Sequence, residues 1–345
     1  MNTQVYVDPD FHVWHGSFYL YGLYEIFGKD NVKMSKNKLN FPNRGGANFN
    51  FIIAKNNKIT KFSVDWWDES CRISQECYEW CDVYGKVNCK WELTPILKYP
   101  KIVIMAPSFG ILAWKRSLFP FYCVANWIKS GRQKNFFYYC RKYGRMVLSR
   151  STLKQYFYNP SLVVDNYVFH VSTLWHNSEG NEHDNKVNAR RVSFIRVCRD
   201  MNNVQFEGGL VPQSKKKYRT SVSKFEDYLY AGGWMSFSEW LEKIKRSAVV
   251  FNTPAALDCH GWKLAEYIAL GKAIISTPLI NDLPEPLVHG ENIHFVDGSE
   301  ESIRKAVEYI VTNQAYREKL EQGARRYWEQ YGTPMQALKL LGIEN

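Results

Sequence analysis

The 345-residue chain is 45% hydrophobic and 16% aromatic, which excludes a disordered protein and suits two domains of ordinary size. No run approaches about 18 consecutive apolar residues, and Met1 to Asp10 has neither a basic nor an apolar leader region, so no membrane span or secretory signal is expected. The net charge of +11 is one-sided: residues 1–165 hold 23 Lys and Arg against 12 Asp and Glu, whereas residues 166–345 hold 22 of each.

A basic, aromatic first half implies an anionic partner: a lipid-linked phosphate acceptor, an acidic glycan or an anionic membrane surface. Nucleic acid competes for the same charge, but no helix-turn-helix, zinc-finger or RNA-recognition signature is present, and it is not expected. The reading is therefore cytoplasmic, open to a peripheral seat at the inner face of the membrane. Eight cysteines follow no C-x2-C spacing. Cys77 and Cys81 share a helix face without a matching second pair, so reduced thiols are expected and neither metal nor cofactor. Phosphate-loop, H-E-x-x-H and G-x-S-x-G patterns are absent.

In chain order, Gln4 to Val7 reads as a strand, Asp8 to Phe18 as a polar loop with Asp8, His12 and His15, and Tyr19 to Phe27 as a helix ended by Gly28. Ligands of doubly wound sheets collect beyond strand carboxyl ends, which makes His15 a candidate general base. Phe49–Ala54 and Ile59–Val64 pair as a hairpin around Lys55-Asn56-Asn57-Lys58. The second run ends in Asp65-Trp66-Trp67-Asp68. Indoles stack on sugar faces, and Asp65 or Asp68 beside them could take a proton from an acceptor hydroxyl; alternatively, Asp68 caps the helix that follows and the Trp pair is core. A helix is expected over Ser70–Tyr84 and a buried strand over Lys101–Met105. Trp114–Lys129 and Arg132–Arg150 mix basic and aromatic residues, as in segments that lie at a membrane interface or present a solvated face.

Near Asn159 to Asn166 a domain boundary is expected, dividing residues 1–165 from 166–330, with 331–345 as a C-terminal helix returning to the first domain. Val168–Ser172 reads as a strand, His176–Asn185 as a polar loop, Asn188–Cys198 as a helix, and Val204–Phe206 as a strand ended by Glu207-Gly208-Gly209. Lys215-Lys216-Lys217 falls in a polar loop. Phe237–Ile244 is amphipathic with Ser236 as N-cap. Val249 to Pro278 reads as strand, loop, helix (Gly261–Leu270) and strand, a unit of a parallel sheet. Lys263 in the first helical turn is unfavourable beside the positive helix end, which asks for an anion such as a phosphate. Glu266, one turn on, could accept hydrogen bonds from ribose hydroxyls. Ser299 opens a helix over Glu300–Asn313, followed by helices over Tyr316–Tyr331 and Met335–Leu341.

The stretch Asp258-x7-Glu266 with GWKLAEYIALGKAIIST resembles the donor-binding segment of glycosyltransferases with the GT-B fold, whose usual form is E-x7-E; here Asp258 replaces the first Glu. The resemblance covers Thr173 to the C-terminus well and the first half in outline. It implies an α/β protein of two Rossmann-like domains facing each other across a cleft, and a hexosyltransferase of the surface-polysaccharide type. The enzyme would move a sugar, without metal, from a nucleotide-diphosphate sugar to a glycan or lipid-linked acceptor. The donor would meet Asp258, His260, Gly261, Trp262, Lys263 and Glu266, with Thr173 and Arg191 facing the nucleotide across from Lys263. A nucleotide-sugar epimerase and a non-catalytic glycan- or membrane-binding protein are the alternatives.

Overall fold

The computed structural model describes residues 3–40, 48–90, 99–132, 134–175, 182–212, 225–233 and 235–344. The chain divides into two units, Met1–Tyr156 with Asn281–Glu285 and Glu329–Asn345, and Phe157–Ile280 with Pro286–Trp328. Both are mixed α/β and built on parallel strands, the class expected from the sequence.

In the first unit β1 (Gln4–Val7), β2 (Val32–Met34), β3 (Asn48–Lys55), β4 (Lys58–Asp65), β5 (Val83–Lys86) and β6 (Ile102–Ile104) form one sheet in the order β2-β1-β3-β4-β5-β6. The hairpin between β3 and β4 turns at Asn56 and Asn57, both at positive φ (52° and 62°), a conformation Asn tolerates. Only β3 runs against its neighbours. The carboxyl ends of the other strands therefore share one edge, which carries Asp8, Asp65 and Lys86. The helices of this unit are α1 (Val13–Phe27), α2 (Lys36–Leu39), α3 (Gln75–Trp80), α4 (Phe119–Lys129) and α5 (Phe136–Ser149).

Two expectations fail here for local reasons. Helix α1 starts at Val13, six residues before Tyr19, because Asp8 closes a tight turn: its side chain accepts from the Asp10 amide (2.9 Å) and its carbonyl from the Phe11 amide (3.3 Å). His12 thereby becomes the N-cap, and Val13, Phe18 and Leu20 are buried. The expected helix over Ser70–Tyr84 is only α3, because Val83-Tyr84-Gly85-Lys86 is claimed as strand β5 between β4 and β6. Tyr84 is fully buried there, so sheet pairing overrides the helical spacing.

In the second unit β7 (Tyr167–Leu174) pairs in parallel with β8 (Gln205–Pro212), and β9 (Val250–Asn252), β10 (Ile274–Ser276) and β11 (His294–Phe295) pair in parallel in sequence. A parallel bridge from Val164 to Ser247 and the bond from the Ala248 amide to the Tyr167 carbonyl (2.7 Å) set β7 beside β9. The strand succession is thus β8-β7-β9-β10-β11, and chain order reverses between β7 and β9. Strand β8 runs through Gly208 and Gly209 instead of ending there. A Cβ at Gly208 would lie 2.2 Å from the His170 carbonyl and one at Gly209 2.5 Å from the Tyr230 amide nitrogen, so glycine marks close backbone approach, not a stop.

The helices are α6 (Glu182–Asp200), α7 (Phe237–Arg246), α8 (Trp262–Ala269), α9 (Glu300–Thr312) and α10 (Gln314–Tyr327). Ser236 and Ser299 cap α7 and α9, each hydroxyl accepting an amide hydrogen bond at 3.2 Å. Helix α6 begins six residues earlier than Asn188. Phe194 and Cys198 on it pack with Val168, Phe251, Ile275 and Val307 in the core. The Lys215-Lys216-Lys217 loop lies outside the described residues, as does 176–181 of the loop expected before α6.

The last helix, α11 (Pro334–Lys339), belongs to the first unit and lies on α1. Gly22 makes room for it: a Cβ there would sit 2.4 Å from the Pro334 carbonyl oxygen, a collision with backbone that cannot rotate away. Gly22→Ala is expected to cost about 1–3 kcal/mol and lower Tm by several degrees in a thermal melt. In a chain also lacking residues 334–345 the same substitution should have no cost.

Candidate functional site

Open parallel sheets bind ligands beyond strand carboxyl ends, where chain order reverses. In the second unit that place lies between β7 and β9, and two cations occupy it. The Lys263 ammonium, in the first turn of α8, donates to the carbonyl of Val171 and to Ser172 Oγ (3.2 Å). The Arg191 guanidinium, on α6, donates through Nη1 to the Thr173 carbonyl (2.7 Å) and through Nε to Thr253 Oγ1 (3.3 Å) just past β9. Successive outward carbonyls of β7 thus anchor Lys263 and Arg191 side by side.

The charges act on each other. Lys263 is partly exposed, but its ammonium is turned inward, and burial pushes its pKa down to about 7; Arg191 pushes the same way and Glu266 opposes. His170, buried one position before Val171, is held neutral well below the usual imidazole range by burial, Lys263 and Arg191. Its Nε2 meets Ser172 Oγ at 2.6 Å. Among the described residues His170 Nδ1 and Tyr267 Oη are buried without a hydrogen-bond partner.

Of the residues expected to meet the donor, Lys263, Arg191 and the Thr173 backbone come together, with Glu266 buried one turn further along α8 and inside the same field. Gly261 is the N-cap of α8 in extended backbone (φ −71°, ψ 152°), with Trp262 the first helical residue. Asp258 ends the short turn Ala256–Asp258, in which Leu257 and Asp258 are both at positive φ (53° and 62°), and His260 is buried two residues on. Two non-glycine residues in the left-handed region store strain in this loop. His170, Ser172 and Thr253 were not anticipated. The first two are legible as i, i+2 neighbours on one face of the strand in VFHVSTL.

The first-half candidates separate. Asp65 is fully buried: it accepts from Tyr84 Oη (2.5 Å) and the Trp67 amide (2.7 Å), and pairs with the equally buried Lys86 ammonium at 3.5 Å. Burial raises its pKa while Lys86, Tyr84 and Trp67 oppose. Asp68 is exposed. His15, in the first turn of α1, stacks on the Trp66 indole (ring centroids 5.0 Å apart, 6° between planes) and lies beside His12. Burial, His12, Arg150 and Lys142 push its pKa down to about 3; burial first and then Lys142 push His12 to about 4. Both imidazoles are neutral, next to the cations of α5. Asp10 is engaged by Lys134 (2.5 Å) and Tyr139 Oη (2.6 Å).

All eight cysteines are free thiols, six of them buried. Among the described residues no group of three or more His, Cys, Asp or Glu could hold a metal ion, and no helix is long and apolar enough to cross a membrane.

No protein-family model matches the chain, and no curated protein does. Among solved structures it is similar to Anabaena Alr3699/HepE in complex with UDP and glucose, at 10% identity and TM-score 0.46 over 81% of this chain and 70% of that one. It is also similar to a glycosyltransferase from Rickettsia africae ESF-5, at 12% identity and TM-score 0.44 over 81% and 69%. A third likeness is the C-terminal domain of a glycosyl transferase group 1 family protein, LpcC, from Francisella tularensis, at 14% identity and TM-score 0.36 over 52% and 97%.

The lowered Lys263 pKa has a stability consequence. Between about pH 7 and the unfolded value of 10.5 the unfolded chain holds a proton that the folded chain has released, so stability attributable to this group rises with pH in that window. Below about pH 7 the buried charge is a full penalty. Lys263→Met is therefore expected to be more stable than wild type at pH 6, on the order of 2 kcal/mol after the lost hydrogen bonds are subtracted. The difference should vanish or reverse by about pH 10 in paired denaturant melts.

Proposed function

We propose that the protein is a hexosyltransferase that moves a sugar from a nucleotide-diphosphate sugar to a hydroxyl of a glycan or lipid-linked acceptor, without a divalent metal. The observation that carries this reading is the pair of cations, Lys263 and Arg191, anchored at the strand-order reversal of a parallel sheet. A diphosphate adds negative charge beside this pair. Arg191 presents a planar fork for two phosphate oxygens and Lys263 a point charge, while the amides opening α8 at Gly261 and Trp262 add their dipoles. Glu266 accepts from the ribose hydroxyls, Thr173 borders the nucleotide, and Asp258 and His260 approach the sugar.

In the reaction the acceptor oxygen bonds to the anomeric carbon as the bond from that carbon to the diphosphate oxygen breaks. The electron pair leaves with the diphosphate, where fixed cations stabilise the developing charge. The acceptor proton passes to a general base. Of the three first-half candidates His15 fits best, because its imidazole is neutral; the Trp66 indole it stacks on is buried between His15 and Tyr19 and belongs to the core. Asp65 is committed to Lys86 and Tyr84.

Nucleotide binding tests the donor site. UDP, GDP and CMP with their common sugar conjugates are screened by thermal shift in chelator. One nucleotide at about 100 times its Kd should stabilise wild type by roughly 2.7 kcal/mol and leave Lys263→Met unmoved. Since binding needs the charged ammonium, affinity should fall as pH rises above about 7, by up to about tenfold per pH unit, and Lys263→Arg should flatten that profile. If no nucleotide moves wild type at millimolar concentration, the transferase reading is lost.

The base assignment has its own test. His15→Asn should lower kcat by about 10²- to 10⁴-fold with the nucleotide-induced shift intact. Asp65→Asn should instead destabilise the fold by about 3–5 kcal/mol, by leaving Lys86 buried without its counter-charge. A His15→Asn enzyme of wild-type kcat would remove His15 from the chemistry.

A further inference from the structure

Helices α4 and α5 carry a surface that the donor site does not use. They pack antiparallel, Asn126 Nδ2 donating to Tyr143 Oη (2.8 Å) and Trp127 meeting Phe136, and their inward residues Phe119, Cys123, Tyr139, Tyr143 and Met146 are buried. Their outward faces are apolar where a soluble surface is usually polar. Leu118, Phe121, Val124 and Ile128 recur along one side of α4, with Phe121 65% exposed, and Phe137 and Leu148 on α5 are 79% and 81% exposed. Six of the thirteen exposed large hydrophobic side chains described thus fall within 31 consecutive residues. Exposed cations flank them: Lys115, Arg116, Lys129, Arg132, Arg141 and Arg145. No acidic residue interrupts the run from Lys115 to Tyr158.

We propose that this two-helix face docks the protein on an anionic lipid bilayer, the aromatic and aliphatic tips entering the headgroup and acyl boundary while the flanking Lys and Arg meet lipid phosphates. The charge decides between occupants. A second copy of the chain would oppose one unbroken cationic face to another, whereas an anionic membrane complements it. The same helix links the surface to the interior of its unit. Lys142 and Tyr139 of α5 face the opposite way, the Lys142 carbonyl accepting from Trp14 Nε1 (3.3 Å) and Tyr139 Oη donating to Asp10. Lys142 also acts on His12 and His15. Seating α4 and α5 on lipid would bring a lipid-borne phosphate close to the cations around His15. This inference goes beyond the transferase reading and does not need it.

The test is co-sedimentation of the full chain with vesicles of phosphatidylcholine alone and of phosphatidylcholine with about 30 mol% phosphatidylglycerol, at about 0.1 M and about 0.5 M salt. Wild type should bind the anionic vesicles at low salt about tenfold or more tightly than the neutral ones, and release as salt rises. Phe121→Glu with Ile128→Glu, and separately Arg116→Gln with Arg141→Gln, should each weaken binding about tenfold with Tm unchanged, since all four side chains are exposed. Lys263→Met should bind vesicles like wild type, which separates this proposal from the donor site. Absence of binding to anionic vesicles, or binding undiminished by the Phe121 and Ile128 substitutions, overturns it. So does a stable dimer in solution that the same substitutions dissociate.

Discussion

The second unit depends on one constraint: two positive groups are held beside each other at the carboxyl edge of a parallel sheet, where their mutual repulsion and the loss of water both oppose them. Lys263 and Arg191 are tied to alternate carbonyls of β7, so neither can swing out to relieve the repulsion without forfeiting hydrogen bonds. Everything nearby follows from that geometry. Burial and their field keep His170 from carrying a proton, Ser172 and Thr253 present hydroxyl oxygens to the cations, and Gly208 lets β8 lie tight against β7. A chain selected only to fold would place an apolar residue where Lys263 stands, since burying a charge beside a like charge has no structural return.

The first unit uses its charges differently. Asp65 and Lys86, both fully buried at the ends of adjacent parallel strands, neutralise one another, and Tyr84 and the Trp67 amide complete the carboxylate's shell. This is a closed network with no demand for a ligand. The imidazoles of His12 and His15 near the same edge are kept neutral by burial, with Lys142 acting on both and Arg150 on His15. A carboxylate at a strand end and a histidine in a helix's first turn look alike as candidates in sequence. Burial and partners distinguish them.

How much was legible follows from how local each determinant is. Lys263, Gly261 and Glu266 could be placed because one turn, one helix and one strand define them, and the caps Ser236 and Ser299 could be read from their own neighbours. Arg191 needed the strand before its helix as well, and was still within reach. Val83 and Tyr84 were misread as helix because their strand exists only through pairing with Phe62–Asp65 and Ile102–Ile104, partners about twenty residues away on either side. The early start of α1 was hidden for a similar reason: the polar residues Asp8 and Asp10 look like loop, yet they form the turn that starts the helix. Gly208 and Gly209 misled because a glycine that ends a strand and one that lets another backbone approach have the same letter.

Two lysines of the second unit with inward-turned ammonium groups, Lys263 and Lys272, differ in the charges around them. Lys272 is also buried, donates to the Lys245 carbonyl (3.1 Å), and burial lowers its pKa to about 8. Its largest electrostatic neighbour is Glu321, which favours the charged form, ahead of Arg317, which opposes it. For Lys263 the order is inverted: Arg191 outweighs Glu266. For Lys272 the larger charge effect thus favours the ammonium, while burial opposes it. Lys263 sits where burial and Arg191 both lower its pKa, to about 7, against the opposing pull of Glu266. An anion that met both Lys263 and Arg191 would add a favourable interaction to that balance.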